Sequence, residues 1–505
     1  MKIAITKRDL LRASSGAALL AATGKSLARR PGQRTEGWDL IVVGGGNAGM
    51  PAAIFAAERG AKVLVIEAAS ALGGTLYLSS GQMSAAGTKL QQAKGIEDSP
   101  ELHYADIMRI SKSTANPALA RLATDNAGRT FDWLMENGFE VHPQHPVEGT
   151  THEPYSVARY AWGKEGGRSI LKVLNQELAP HLESGLVTTL LETRATDLIT
   201  DDKDNVLGVK TSSADGSQDH YGDNVVLTAG GYASNDRLFE ELEGTSRACV
   251  CSYPNSQGAG IGLGLSVGGY LRGAENHLPL FGGVFASDDY PSPLIGTHRP
   301  LPPHTMPWGI YVNAQGRRFM AEDVPSHDAH EVALGEQSNE RCWLVFDDEM
   351  INKMESFIGR WTREDAMKAF DSGQAFFFKA ESPAELARKA NINIDGLSET
   401  IEEYNAGREH GNDRYGRKHM PLPLQKAPFY AIQLQGWLLT SFAGLAVNED
   451  LQVIRKDGSG IPNLYAAGEL LGTGNLSGKA YCGGMLVTPA LTFGRLLGQK
   501  ILKFA

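Results

Sequence analysis

The sequence predicts an α/β fold: a parallel-sheet domain, discontinuous along the chain, with an inserted α+β segment. Three observations predict it. Asp39-Leu40-Ile41-Val42-Val43 is an apolar run that leads straight into Gly44-x-Gly46-x-x-Gly49. An Ala-rich helical stretch at 51–59 and a second apolar run at 62–66 follow, giving strand–helix–strand order. Two more apolar runs end in small-residue turns far downstream, at 224–232 and 461–469, so distant parts of the chain complete one sheet.

The first unit has the anatomy of a dinucleotide-binding turn. Gly44 permits the tight turn, Gly46 lets the backbone approach a pyrophosphate, and Gly49 lets helix and strand pack closely. Asn47 and Ala48 stand on the turn, where the helix N-terminus offers free N–H groups and a positive dipole end to phosphates. Glu67, at the tip of the second strand and followed by Ala68, is placed to accept hydrogen bonds from a ribose hydroxyl. An ordinary glycine turn is the alternative for the triplet alone. Here strand, glycines, helix, strand and acid stand in order, which defines a Rossmann-like unit.

Close behind Glu67 come Gly73-Gly74-Thr75 and Ser79-Ser80-Gly81-Gln82, two turns that suit backbone wrapped around a large buried cofactor. Thr228-Ala229-Gly230-Gly231 and Ala466-Ala467-Gly468-Glu469 end the two later strands. With Val312-Asn313-Ala314-Gln315-Gly316-Arg317-Arg318-Phe319-Met320-Ala321-Glu322, these motifs resemble the fumarate reductase/succinate dehydrogenase superfamily of FAD flavoproteins, which includes the 3-ketosteroid dehydrogenases. The resemblance runs from about Trp38 to the end of the chain. It implies bound FAD, contacted by the residues named above together with Ala195, Met485 and Leu486. The 73–82 region holds no histidine of the kind used for covalent flavin attachment, so non-covalent FAD is expected.

Composition fits a large enzyme. A chain of 505 residues suits two to four domains, and a net charge of −10 without a basic, aromatic-rich cluster argues against nucleic acid. The four cysteines, Cys249, Cys251, Cys342 and Cys482, form neither a Cys-x-x-Cys pair nor a disulfide framework, and no Cys-x-x-Cys-His haem motif is present. No apolar run approaches the ~20 residues of a membrane span. His277, His298 and His304 lack metal-ligand spacing, and no metal is expected.

Residues 1–30 are set apart from the fold. Thr6-Lys7-Arg8-Asp9-Leu10-Leu11-Arg12 precedes a small apolar stretch and Ser26-Leu27-Ala28, a pattern similar to a twin-arginine export signal with lysine for the first arginine. That implies a periplasmic enzyme; the alternative is an amphipathic tail on a cytoplasmic one. The expected organisation is an FAD-binding domain over 36–276, a capping domain over 277–432, and the rest of the FAD domain over 433–505. The Gly-rich run 258–264 reads as a tightly packed helix start, since its spacing is wrong for a second nucleotide site. NAD(P)H is therefore not the expected electron donor; a quinone or a separate redox protein is.

The resemblance implies hydride transfer between flavin N5 and one carbon of a C–C bond, with a proton moving at its neighbour. Three positions depart from the fumarate reductase pattern. Thr440-Ser441-Phe442-Ala443-Gly444 lacks that family's histidine, Tyr481-Cys482-Gly483-Gly484 lacks its clamping arginine, and 323–328 lacks its proton-donating arginine. The ketosteroid dehydrogenases match better, with Glu322-x-x-Pro325 before their base position and Tyr481 near their ketone-polarising tyrosine. Their base tyrosine is replaced by Ser326, which makes His327 the expected proton carrier. Tyr481 is expected to bond the substrate carbonyl, and Arg318 matches a proton-relay arginine whose glutamate partner is replaced by Gln315. For Arg317 and Arg318 alike, pairing with acids is the alternative. The expected activity is dehydrogenation or reduction next to a carbonyl on an apolar cyclic substrate. Reduction of a fumarate- or urocanate-like acid is the runner-up, and an electron carrier without its own organic substrate is the other class.

Overall fold

A computed structural model describes residues 37–149, 152–244, 252–288, 292–298, 306–354 and 358–502. The export-like segment 1–30, His304, Cys249 and Cys251 lie outside them.

The expected strand–turn–helix unit is present. Strand β1 (Leu40–Val43) runs into helix α1 (Gly49–Ala57), and β2 (Val63–Ile66) returns beside β1 in parallel, with Leu40 opposite Val63 and Val43 opposite Ile66. Every residue of β1 and β2 is buried. Unbroken Val/Ile/Leu runs of this kind belong to a sheet covered on both faces. Strand β3 (Val187–Leu190) joins the edge at β2, while β4 (Val225–Leu227) pairs with β1 on the other side. Between β3 and β4, an antiparallel meander of Arg194–Thr200, Val206–Ser213 and Gly216–Tyr221 stands apart from this sheet. The Gly-rich run forms helix α2 (Ala259–Ser266) as expected.

The chain then builds a second body around an antiparallel sheet: β5 (Leu280–Phe285), β6 (Leu294–Thr297), β7 (Ile310–Val312), β8 (Arg341–Asp347), β9 (Phe377–Ala380) and β10 (Phe429–Trp437). The order is β6-β5-β10-β8-β7, and β9 also pairs with β10. Helix α3 (His327–Gly335) lies in this body, and the amphipathic stretch 382–407 forms helices Pro383–Ala390 and Ile394–His410. Strand β10 runs through the expected boundary at 432/433. Its alternate residues bond β8 along its length, so the antiparallel sheet ends at Trp437.

The chain finally returns to the first sheet through β11 (Gln452–Ile454) and β12 (Gly460–Ala466), and β12 pairs in parallel with β4. The order β11-β12-β4-β1-β2-β3 brings the ends of β1, β4 and β12 side by side, at one edge of one crevice. Ligands bind in such crevices, at the carboxyl ends of parallel strands. The last helix, α4 (Val487–Lys500), lies on α1 with no room for side chains at Gly494 and Gly498. A Cβ there would stand 2.1 Å from Ala48 O and 2.6 Å from Ala52 O. Each body has its own buried apolar cluster. Among the described residues no helix is long and apolar enough to cross a membrane.

Candidate active site

A cavity of about 1290 Å³ opens at the carboxyl ends of β1, β4 and β12 and reaches the seam between the two bodies. It exceeds the ~300–1,000 Å³ of ordinary small-molecule pockets, which suits a long cofactor plus a substrate. Gly44, at φ +104°, turns the chain where a Cβ would meet Thr228 O at 2.5 Å. A Cβ on Gly49 would lie 1.9 Å from Gly44 O, so helix and turn touch backbone to backbone. A Cβ on Gly46 meets no protein atom within 4 Å, because Gly46 faces the cavity itself.

Side chains lock this turn. Glu67 Oε2 accepts from Gly45 N–H and its Oε1 from Ala69 N–H, both at 2.8 Å. Thr228 Oγ1 donates to Gly44 O at 2.7 Å. Asn47 lines the cavity, and its buried Oδ1 finds no hydrogen-bond partner among the described residues. A buried amide oxygen left without a donor costs ~1–3 kcal/mol unless a ligand supplies one. The Gly46 opening fits a pyrophosphate-linked dinucleotide, whose hydroxyl groups are donors of the kind the Asn47 oxygen lacks.

Most of the expected cofactor residues meet in this cavity. Gly44, Gly46, Asn47, Ala48, Glu67, Ala68, Gly74, Thr75, Ser79, Ser80, Gln82, Ala195, Thr228, Ala229, Gly230, Gly468, Glu469 and Leu486 all line it. Gly49, Gly73, Gly81 and Met485 do not; they support the wall from behind. Gly73 donates its N–H to Gly45 O, Gly81 packs on Gly166, and Met485 is buried against the core. Desolvation at the wall pushes the Glu469 carboxyl up to about 7, against hydrogen bonds to Ser441 and Gly231 that pull it down. The sequence reading missed the turn 253–257 and Thr193-Arg194, which also line the cavity. Their only signal is their place beside β4 and Ala195.

The expected catalytic residues divide. Tyr481 lines the cavity, but its hydroxyl donates to Leu278 O at 2.8 Å, which leaves oxygen lone pairs rather than a proton for a ligand. Ser326 and His327 are off the cavity wall. Ser326 is the N-cap of α3, its Oγ accepting from Ala329 N–H, and the helix start turns His327 inward until it is 5% exposed. Arg318 is also off the wall. It sits in the second body's core, forked onto Glu322 at 2.7 and 2.8 Å and paired with Asp413, and Glu322 also holds Arg417. Burial opposes its charge, yet those carboxylates raise its pKa further and anchor it in the second body's core. Arg317 pairs with Glu399 at the surface.

His152, which sequence reasoning missed, lines the cavity instead. Its ring lies 5.1 Å from that of Tyr481, with His327 behind it at 6.0 Å. Its Nδ1 bonds Asp328 Oδ1 at 2.9 Å and stands 3.6 Å from Glu331 Oε2. These three residues bring one ligand atom each within 4.8 Å of one another, the one metal-compatible group among the described residues. No spacing signal marks it, because His152 lies 176 positions from Asp328. His277, which reads as a polar cap residue, bridges Glu243 at 2.8 Å and Glu340 at 2.7 Å, and His298 Nε2 meets Tyr311 OH at 2.8 Å. Cys342 and Cys482 are free and buried.

A parallel sheet, a glycine cradle and a cavity at the seam with a second body define a dinucleotide-binding fold. Residues 39–486 match the FAD binding domain family, and the chain belongs to that family. A fumarate reductase (cytochrome) of Shewanella frigidimarina is 28% identical, over 92% of this chain and 77% of that protein. A urocanate reductase of Eggerthella lenta is 26% identical, over 95% of this chain and 77% of its own length. The solved 3-ketosteroid delta1-dehydrogenase of Sterolibacterium denitrificans superposes with a TM-score of 0.71 at 18% identity, covering 92% of this chain and 99% of that one. This last likeness shows the fold. The protein is an FAD-dependent oxidoreductase by its family, and its relatives include fumarate and urocanate reductases.

Proposed function

We propose that the enzyme dehydrogenates or reduces a C–C bond next to a neutral carbonyl, on a mainly apolar, ring-bearing substrate. One observation carries this reading. Among the described residues lining the cavity, the one lysine or arginine is Arg194, next to Thr193, whose N–H bonds Glu67 O at the ribose end. The seam wall of His152, Leu280, Leu439, Thr440 and Tyr481 carries no such cation. Seating a dicarboxylate there desolvates a second charge without a paired cation, which costs several kcal/mol.

FAD, when bound, supplies the hydride acceptor or donor at this seam. The chain's own part is to hold it: the turn at Gly44–Ala48 for the pyrophosphate, Glu67 for the ribose, Gly74–Gln82 and Gly468-Glu469 for the remainder. No covalent link is proposed. The second body caps the flavin and keeps water from the reacting bond. Gly483 and Gly484 line the seam, and their N–H groups have no partner among the described residues. They are the donors proposed for the substrate carbonyl, in place of Tyr481. Electrons come from or go to a quinone or a separate redox protein, and the N-terminal segment directs export to the periplasm.

Reduction of an unsaturated carboxylate is the second reading, favoured by the relatives that reduce fumarate and urocanate. Titrating oxidised holoenzyme with 2-cyclohexenone, urocanate and fumarate, following the flavin visible band, separates the two. The enone is expected to perturb the band saturably, and fumarate at equal concentration is not. Saturable fumarate binding tighter than that of the enone overturns the neutral-substrate reading.

A further inference from the structure

We infer that His152 is the residue that moves the proton in this reaction, with Asp328 and Glu331 as its positioning residues. The inference rests on the reading above that a proton moves beside the redox bond. It does not depend on which acceptor or donor the cavity takes.

Geometry selects His152. Among the described residues it is the one histidine lining the cavity, and it does so on the seam wall beside Tyr481. Its Nδ1 is committed to Asp328 at 2.9 Å, so Nε2 is the nitrogen left to meet a ligand. A carboxylate on Nδ1 fixes the tautomer: Nδ1 carries hydrogen, and neutral Nε2 is a proton acceptor. The same carboxylate stabilises the imidazolium that forms when Nε2 takes a proton. Glu331, 2% exposed on the side chain and 3.6 Å from Nδ1, adds a second negative group to the same face. Helix α3 supplies both acids, one turn apart at positions 328 and 331. The loop that carries His152 is tied to α3 a second time, because Glu153 N–H donates to Asp328 Oδ2.

The step balances. In dehydrogenation, the proton on the carbon next to the carbonyl passes to His152 Nε2, and its bonding pair becomes the new π bond. With FAD bound, the hydride on the adjacent carbon would pass to it, which completes the electron balance. In reduction the transfers run backwards, and imidazolium Nε2–H protonates the carbon next to the carbonyl. Asp328 touches neither carbon; it orients the ring and compensates its charge.

The test uses holoenzyme reduced anaerobically and mixed by stopped-flow with 2-cyclohexenone, urocanate and fumarate. Whichever acceptor reoxidises the unmodified enzyme fastest is used for the variants. That choice tests the neutral-substrate reading, whereas the variants test His152 for any acceptor. His152→Ala is expected to lower the limiting reoxidation rate by ~100- to 10,000-fold with FAD content and half-saturating concentration unchanged. Added imidazole is expected to restore part of the rate, which a merely structural residue does not allow. His152→Gln, which keeps a planar polar group in the wall, is expected to show the same loss without risk of collapse. Asp328→Asn should cost on the order of 10-fold in the limiting rate alone, and Asp328→Glu should recover most of it. An unchanged limiting rate in both His152 variants overturns the inference. So does a rate in the unmodified enzyme that EDTA abolishes and Zn²⁺ restores, which assigns the three residues to a metal.

Discussion

Around Gly44–Ala48 the cavity wall is main chain, locked by neighbouring main chain and by the Glu67 and Thr228 side chains, whereas around His152 and Tyr481 it is side chain held by groups from remote segments. At the first end, Gly49 touches Gly44 O, and Gly73 donates to Gly45 O, all within a stretch of about thirty residues. At the second, His152 is held by Asp328, and Tyr481 bonds Leu278 O. The difference teaches where each kind of information is kept. A cofactor common to a superfamily is gripped through backbone geometry, which local sequence dictates. The seam, by contrast, is walled largely by side chains that only the closed fold brings together.

Glycine substitutions break the comparison at its firmest point. Gly49→Ala drives a Cβ into backbone at 1.9 Å, where nothing flexible can give way, and should destabilise the apoprotein by about 3 kcal/mol or more. Gly46→Ala meets no protein atom within 4 Å. Its apoprotein should melt like the unmodified chain while losing FAD during purification. Thermal melts of apoprotein and flavin-to-protein ratios separate the two; equal melting losses would show that the glycines serve packing alone.

The same contrast explains how far the sequence was legible. Strand β1, the turn, helix α1 and β2 were readable because their apolar runs and glycines are contiguous and physically forced. The return of β12 beside β4 was readable from two small-residue turns that had to reach one cofactor. At the seam, the segment 323–328 points to His327 in the sequence, but the structure buries that ring off the cavity wall and places His152 on it. Ser326 caps α3, and the helix turn then buries His327 and sends Asp328 outward to His152. Arg318 was equally opaque, since its partner Asp413 lies 95 positions downstream.

His277 sharpens the comparison at the seam between the bodies. Burial works against its charge, yet hydrogen bonds to Glu243 and Glu340 outweigh it and hold its pKa up at about 9. A folded pKa above the unfolded value of ~6.5 gives stability that is whole below the latter and lost as pH rises through 9. The shift corresponds to about 3 kcal/mol. The melting temperature should therefore fall between pH 7 and 10, and His277→Gln should flatten that fall. An equal fall in both proteins would remove His277 from the account.

Glu67 gives the smallest effect. Its carboxylate holds Gly45 and Ala69 N–H groups and lines the cavity at the end proposed for the ribose. Glu67→Ala should weaken FAD retention by about 1–3 kcal/mol, and Glu67→Gln, which keeps one acceptor oxygen, by less. Isothermal titration of apoprotein with FAD measures both. Affinities equal to that of the unmodified protein would contradict the assignment of Glu67 to cofactor holding.

The claim that the seam takes a neutral carbonyl compound rather than a dicarboxylate is tested most directly by one ratio, that of kcat/KM for 2-cyclohexenone to kcat/KM for fumarate, measured anaerobically with a reduced dye as electron donor. A missing cation worth about 3 kcal/mol predicts a ratio of about 100 or more in favour of the enone. A ratio at or below one would contradict the account and assign the enzyme to reduction of unsaturated acids.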